Sequence, residues 1–303
     1  MRALNIAIVG ATGLVGEALL TILEEREFPI ATLYPLASER SVGKTVSFKK
    51  KLLDVEDVAK FDFRDADIAF FSAGNEVSKQ YAPEAAAAGC VVIDNTSCFR
   101  YDDDIPLVVP EVNPERIADY KKHGIIANPN CSTIQMVVVL KPIYDAVGIT
   151  RVNVATYQAV AGTGQEAITE LVGQMGELLN GRAIKKPTVY PQQIAFNVLP
   201  HIDEFQENGY TREEMKMVWE TQKILEDKSI MVNPTAVRVP VLYGHSEAVH
   251  MELGAPMTVE EVRKLLKKSP GIKVMGTTSK EKYPTPLTDA VGQDDVFVGR
   301  IRQ

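Results

Sequence analysis

Read for its apolar positions alone, the chain changes rhythm part-way along. In its first part, short apolar runs at 4–9, 32–37, 66–71, 90–94 and 124–127 alternate with amphipathic stretches that run from after Gly16 to about Arg26 and over 76–88. That alternation predicts buried parallel strands joined by helices. Asn128-Pro129-Asn130 reads as a turn and 132–147 as an apolar helix. Beyond them, longer runs at 151–160 and 236–241 are separated by helices near 164–180 and 211–227. The pattern predicts an α/β protein with a doubly wound sheet over residues 1–127 and, over 128–303, an α+β domain whose mixed sheet carries helices on one face. No internal repeat is visible, and 282–289, with Pro284 and Pro286, reads as a loop.

The first apolar run leads straight into Gly10-Ala11-Thr12-Gly13-Leu14-Val15-Gly16 and then a helix. Glycines at this spacing suit a tight turn, close backbone approach to a pyrophosphate and a helix N-terminus aimed at negative charge, although they can also serve packing alone. The second strand ends in Ser38-Glu39-Arg40-Ser41, where a site for an unphosphorylated ribose usually places an acid. Arg40 and Ser41 suit a 2′-phosphate instead, with Glu39 turned to solvent. The third strand ends in Ser72-Ala73-Gly74 and the fourth at Asn95. Gly13, Ser72 and Asn95 therefore fall at the carboxyl ends of a Rossmann-like sheet, where ligands bind.

Candidate chemistry begins at Cys131, a thiol at the mouth of a predicted helix. The first-turn N–H groups and the helix dipole favour a thiolate there, lowering an ordinary pKa of roughly 8.5 by one to several units. A small buried residue at a strand-to-helix corner is the alternative reading. Cys90, inside an apolar strand, reads as core, and Cys98 as ambiguous. Gln158 closes a period-two run beside Ala161-Gly162-Thr163-Gly164. Glu220 and Lys223, at i,i+3, can face one cavity, although most such pairs are solvated surface pairs. Among four histidines, His245 follows a strand at a glycine turn, Arg238-Val239-Pro240-Val241-Leu242-Tyr243-Gly244-His245, and is the best acid–base candidate; His123 and His201 fall in polar loops and His250 in a strand.

Composition narrows the classes. The chain has 303 residues, 45% hydrophobic and 24% charged, with a net charge of −7. Nothing favours nucleic acid, since Lys49-Lys50-Lys51 reads as a short solvated hairpin. No apolar run approaches the ~20 residues of a membrane span, and the start shows no cleavable signal, so a cytoplasmic protein is expected. Three cysteines without ligand spacing predict neither a disulfide framework nor a metal site.

Taken in order along the whole chain, the glycine loop, the Asn130-Cys131-Ser132-Thr133 corner, Gln158 and the segment from Arg238 to Glu247 resemble the aspartate-β-semialdehyde dehydrogenases, in their bacterial form. The resemblance implies reversible, NADPH-dependent reductive dephosphorylation of L-4-aspartyl phosphate to L-aspartate 4-semialdehyde, in lysine, threonine and methionine biosynthesis, by a homodimer or homotetramer. It makes Cys131 the nucleophile that forms an acyl-thioester, His245 the general acid/base, Gln158 the residue orienting substrate and Arg238 the clamp on its α-carboxylate. Arg100, Lys223 and Asn130 match the phosphate-binding group, and Glu220 lies near the substrate amine. Thr12, Gly13, Leu14, Val15, Arg40, Ser41 and Gly162 match NADP contacts, with Gly10, Gly16, Ser72, Ala73, Gly74, Asn95 and Ala161 completing the expected cofactor set.

The chemistry is coherent without the family: a thiolate attacks the acyl carbon, cations stabilise the leaving phosphate, and an imidazole with pKa near ~6.5 holds and gives a proton. Two departures stand out. The family usually has serine at Ala161, and it continues for a few tens of residues past the position of Gln303, adding a cofactor-contacting Asn and a helix that packs on the first domain. Lacking that helix, the chain is expected to expose apolar sheet surface. An N-acetyl-γ-glutamyl-phosphate reductase-like enzyme and a non-catalytic paralogue or truncated inactive form are the competing readings.

Overall fold

The computed structural model describes residues 2–276 and 283–303, and the chain forms two compact units, Met1–Pro129 and Asn130–Gln303. In the first, β1 (Leu4–Val9) leads through α1 (Leu14–Glu25) to β2 (Ile30–Ala37), a hairpin of β3 (Thr45–Phe48) and β4 (Lys51–Asp54), and the short β5 (Glu56–Asp57). Then follow β6 (Ile68–Phe71), α2 (Asn75–Ala87), β7 (Val91–Asp94) and β8 (Ile125–Ala127). Six of these strands form one sheet, in the order β5-β2-β1-β6-β7-β8, with all neighbours parallel. The apolar runs suit this arrangement because a central parallel strand is covered on both faces: Ile6, Ala7, Ile8 and Val9 have no exposed surface. α1 lays Leu20 and Leu23 into a cluster with Ile6, Ile8 and Leu33. Lys49 and Lys50 both take positive φ, 48° and 63°, which makes the lysine run the turn of the hairpin.

From β1 the chain winds outward to β2 and then returns to the other side of β1 as β6. The loops after β1 and β6 therefore meet where the winding reverses, the place such sheets use for ligands.

The second unit opens with α3 (Cys131–Val147), β9 (Ile149–Gln158) and α4 (Gln165–Leu179). α5 (Arg212–Ile224), β10 (Met231–Arg238) and β11 (Ser246–Leu253) follow, then α6 (Val259–Leu266) and the pair β12 (Ile272–Val274) and β13 (Val296–Val298). The main sheet runs β10-β9-β11, with β10 parallel and β11 antiparallel to β9. α3 packs on β9 and β11 and against α5 and α6. The strand expected at 236–241 is displaced toward the N-terminus. Pro234 is tolerated because β10 is an edge strand of this sheet, and the chain leaves the ladder after Arg238, before Pro240. Within the expected loop at 282–289, Lys282 lies outside the described residues and 286–290 forms a single π-helical turn.

Candidate active site

Two helix N-termini stand at the switch point of the first unit. Gly13 caps α1 and Gly74, at φ +98°, caps α2, and neither supplies a side-chain cap. The first-turn N–H groups of both helices are thus left for an anion. Glycine is demanded at two positions of the loop. A Cβ at Gly16 would lie 2.3 Å from the Gly10 carbonyl oxygen, and one at Gly10, φ +94°, would meet Ser72 Oγ at 2.9 Å and Ala73 N at 3.1 Å. Thr12 and Leu14 are half-buried and Gly13 and Val15 exposed, so the loop presents a surface. This cradle fits a dinucleotide pyrophosphate. Arg40 is exposed and Ser41 half-buried in the short turn that follows β2, at the same end of the sheet.

Asn95 is spoken for: its Oδ1 accepts from Asn128 Nδ2 at 2.9 Å. Its carbonyl accepts from Arg100 Nη2, also at 2.9 Å. The adjoining loop is tied down by Asp94, which accepts from Ser78 Oγ, Thr96 N and Thr96 Oγ1. Arg100 is buried within this first unit.

In the second unit Asn130 organises the start of α3. Its Oδ1 accepts from Ser132 N at 3.0 Å, capping the helix, and this leaves Cys131 exposed as the first helical residue. The Asn130 N–H donates to Glu220 Oε2 at 2.6 Å. Its Nδ2 donates to Glu213 Oε1 at 3.0 Å, which also accepts from Gln158 Nε2 at 3.0 Å. Thr156 Oγ1 in turn donates to Gln158 Oε1. Lys216 Nζ bridges Glu213, at 3.0 Å, and Asp203, at 2.8 Å. Burial pushes the Glu213 carboxyl up, but Lys216 and the hydrogen bonds from Gln158 and Asn130 outweigh it and hold the group below its ordinary value.

The sequence placed Glu220 and Lys223 at this site. Glu220 has no exposed surface and takes the backbone N–H of Asn130. Lys223 lies half-buried one turn further along α5. The acid that accepts from both Gln158 and Asn130 side chains is Glu213, with Lys216 paired to it, and sequence reading missed both. Both pairs have i,i+3 spacing and sit a heptad apart, so the available signal named the helix face and not the turn.

Next to this network, β9 and β10 end side by side, Arg238 opposite Gln158. Arg238 Nη1 donates to the Ala159 carbonyl at 2.7 Å, and its guanidinium carbon lies 6.0 Å from the centre of the Tyr190 ring. Tyr190 Oη donates to Thr163 Oγ1 at 3.2 Å, which ties that ring to the turn holding Ala161 and Gly162. A Cβ at Gly162 would lie 3.3 Å from Arg238 Nη1 and 3.4 Å from His245 Nε2, so both groups front this glycine. Burial first, and the Arg238 charge second, push the pKa of His245 down to about 4, with Glu213 and the Gly244 carbonyl acting in the other direction. A ring in that state is neutral at pH 7, with one nitrogen carrying a proton and the other a lone pair.

Behind α3, Gln135 Nε2 donates to Glu247 Oε1 at 2.7 Å, and burial pushes Glu247 up to about 8 from 4.5, with Gln135 pulling the other way. In the unfolded chain this carboxyl ionises first. The folded state therefore loses relative stability as pH rises from about 4.5 to about 8 and is level beyond. Glu247→Gln should raise Tm at pH 8, by an amount corresponding to on the order of a few kcal/mol, and leave it nearly unchanged near pH 4. Thermal unfolding of both proteins across that range checks this; a pH-independent gap would refute it.

Among the described residues, no group of three His, Cys, Asp or Glu side chains is arranged to hold a metal, and no helix is long and apolar enough to cross a membrane. The domain family described as semialdehyde dehydrogenase, NAD binding domain, matches residues 5–120. Its companion, the semialdehyde dehydrogenase dimerisation domain, matches residues 140–303. The aspartate-semialdehyde dehydrogenase of Legionella pneumophila is 70% identical over 302 residues, spanning 100% of this chain and 87% of that protein. The crystal structure of aspartate semialdehyde dehydrogenase II from Vibrio cholerae, complexed with ASA, superposes with a TM-score of 0.96 at 59% identity, covering 99% of this chain and 88% of that one. The enzyme from Candida albicans with NADP gives 0.73 at 26% identity, covering 94% and 85%.

Proposed function

Because this chain belongs to the aspartate-semialdehyde dehydrogenase family, we propose that it interconverts L-4-aspartyl phosphate and L-aspartate 4-semialdehyde through a thioester on Cys131. The observation that carries the residue assignment is the hydrogen-bonded chain from the Cys131 helix cap through Glu213 to Gln158, beside Arg238 and His245. Cys131, at the positive end of α3, adds to the substrate carbonyl carbon. Arg238 offers a planar guanidinium to the substrate carboxylate, a grip that lysine cannot reproduce. We assign the substrate ammonium to Glu213, the phosphate-side cation to Lys216, and the orientation of the acyl group to Gln158.

The Gly10 to Gly16 loop, Ser72, Ala73 and Gly74 would hold a nicotinamide dinucleotide. When bound, that cofactor supplies or accepts the hydride of the reaction. Arg40 and Ser41 favour its 2′-phosphate form, NADP. The match to a dimerisation domain supports a homodimer, and the sheet β10-β9-β11 leaves Tyr157 and Met231 exposed on one face that a second copy would cover. The direct test is phosphate-dependent NADPH formation from aspartate semialdehyde; no phosphate dependence would overturn the reading. For the cofactor, NADP should bind more tightly than NAD. Arg40→Ala should weaken NADP alone by about 1.5–3 kcal/mol, the worth of a charge-assisted contact. Equal affinities of the unmodified chain for both cofactors would remove the assignment.

A further inference from the structure

After α4 the chain passes into irregular backbone, whose N–H groups need partners outside a helix or a sheet ladder. Glu170, on α4, supplies them at one place. Its Oε2 accepts from Thr188 N at 2.6 Å, Val189 N at 2.8 Å and Thr188 Oγ1 at 3.1 Å, and its Oε1 accepts from Tyr190 N at 3.3 Å. Burial acts to raise this carboxyl, and the three backbone N–H groups outweigh it and hold the group below its ordinary value. At the other end of the same tyrosine, the hydroxyl donates to Thr163 Oγ1. The buried ring of Tyr190 is thus tied at both ends.

Ala159 holds the neighbouring guanidinium at a single point. Its N–H donates to His245 Nδ1 at 3.0 Å, and its carbonyl accepts from Arg238 Nη1 at 2.7 Å. One hydrogen bond fixes one nitrogen and leaves the plane of the fork free to turn about it. A flat ring 6.0 Å from the guanidinium carbon removes that freedom, since guanidinium groups settle against aromatic faces. Among the described residues, Arg238 Nε is buried and finds no hydrogen-bond partner, so the fork keeps a donor over for a ligand.

Resting on the dehydrogenase reading, we propose that Tyr190 is a positioning residue for the carboxylate clamp: its ring sets the plane in which Arg238 meets the substrate carboxylate, and Glu170 straps that ring in place. The Ala159 carbonyl and the Tyr190 ring are both neutral, so neither cancels the charge that Arg238 offers. The advantage is preorganisation. A bidentate pair forms when fork and carboxylate are coplanar, and a fork already held in that plane loses less freedom when the carboxylate arrives.

Succinic semialdehyde and propanal differ only in the carboxylate, so the ratio of their kcat/KM values reads the clamp while general damage to the enzyme cancels. Tyr190→Leu, which keeps an apolar filler and loses the ring face, should lower that ratio by about fivefold or more, chiefly by raising KM for the acid. Tyr190→Phe keeps the face and should hold the ratio to within about twofold. Glu170→Ala should shift it in the same direction as Tyr190→Leu, and the double variant should lose no more than Tyr190→Leu alone, because both act through one ring. An unchanged ratio in Tyr190→Leu, an equal loss in Tyr190→Phe, or additive losses in the double variant would overturn the proposal. If Tyr190→Leu does not fold, the ratio in Glu170→Ala decides the matter, and an unchanged value there overturns it equally. Failure of the underlying functional reading appears separately, in the unmodified chain, as absent phosphate-dependent NADPH formation or no preference for the acid over propanal.

Discussion

Cys131→Ala is expected to lower turnover by at least about 10⁴-fold while leaving the fold as it was. Losing a covalent nucleophile removes the intermediate itself, and no neighbouring group supplies a substitute path of similar rate. The residue is exposed at the first position of α3, and alanine is well tolerated there, so Tm should move by no more than about 0.5 kcal/mol equivalent. The other thiols make the contrast. Burial pushes Cys90 up to about 12, and burial together with Asp94 and Asp102 raises Cys98, so both stay protonated where Cys131 reacts. Cys90→Ala should cost about 1–2 kcal/mol of stability and little activity. Intact mass and peptide mapping after quenching with substrate should place the adduct on Cys131; an adduct on Cys98 would sink the assignment.

The second large effect separates two acids on one helix. Glu213→Gln should reduce kcat/KM for aspartate semialdehyde by about 10²-fold or more, because a buried, charge-assisted contact to the ammonium is worth on the order of 3 kcal/mol. Succinic semialdehyde, which lacks the amine, should be affected far less. Glu220→Gln removes the carboxylate that takes the N–H of Asn130, so it should lower stability by about 1–3 kcal/mol and preserve the ratio between the two aldehydes. Since the comparison is a ratio on one preparation, general damage to the fold cancels. Were Glu220→Gln to erase the preference, the ammonium would belong to Glu220 after all.

These two acids also show where sequence was a sufficient guide and where it was not. The parallel sheet was legible because its central strands are largely covered on both faces and read as short apolar runs, as in 6–9 and 68–71. The position of Cys131 at the mouth of a helix was legible because the signals for a turn followed by a helix start are local. The choice between Glu213 with Lys216 and Glu220 with Lys223 depends on which turn of α5 faces Gln158, a long-range fact with no local signature. The state of His245 was hidden for the same reason: its ordinary pKa is a property of water, whereas Ala159, Arg238 and the burial of the ring arrive from elsewhere in the chain. Pro234 misplaced β10 because edge position, which licenses a proline, is decided by topology.

The strand pairing of the second unit has a bearing on how it assembles. β9 and β10 join residues such as Arg151 and Met231 that lie 80 positions apart, and β11 must then lie along the other side of β9. The entropy of closing so long a loop is lost before any of the pairing is gained, which makes such registers slow to form. α3 and α5 rest on local contacts and can form early. Gln158, Arg238 and His245, by contrast, sit at or just beyond the ends of the paired strands and converge only when the last long-range register closes. Regain of activity on refolding thus reports completion of the sheet and lags the return of helical signal.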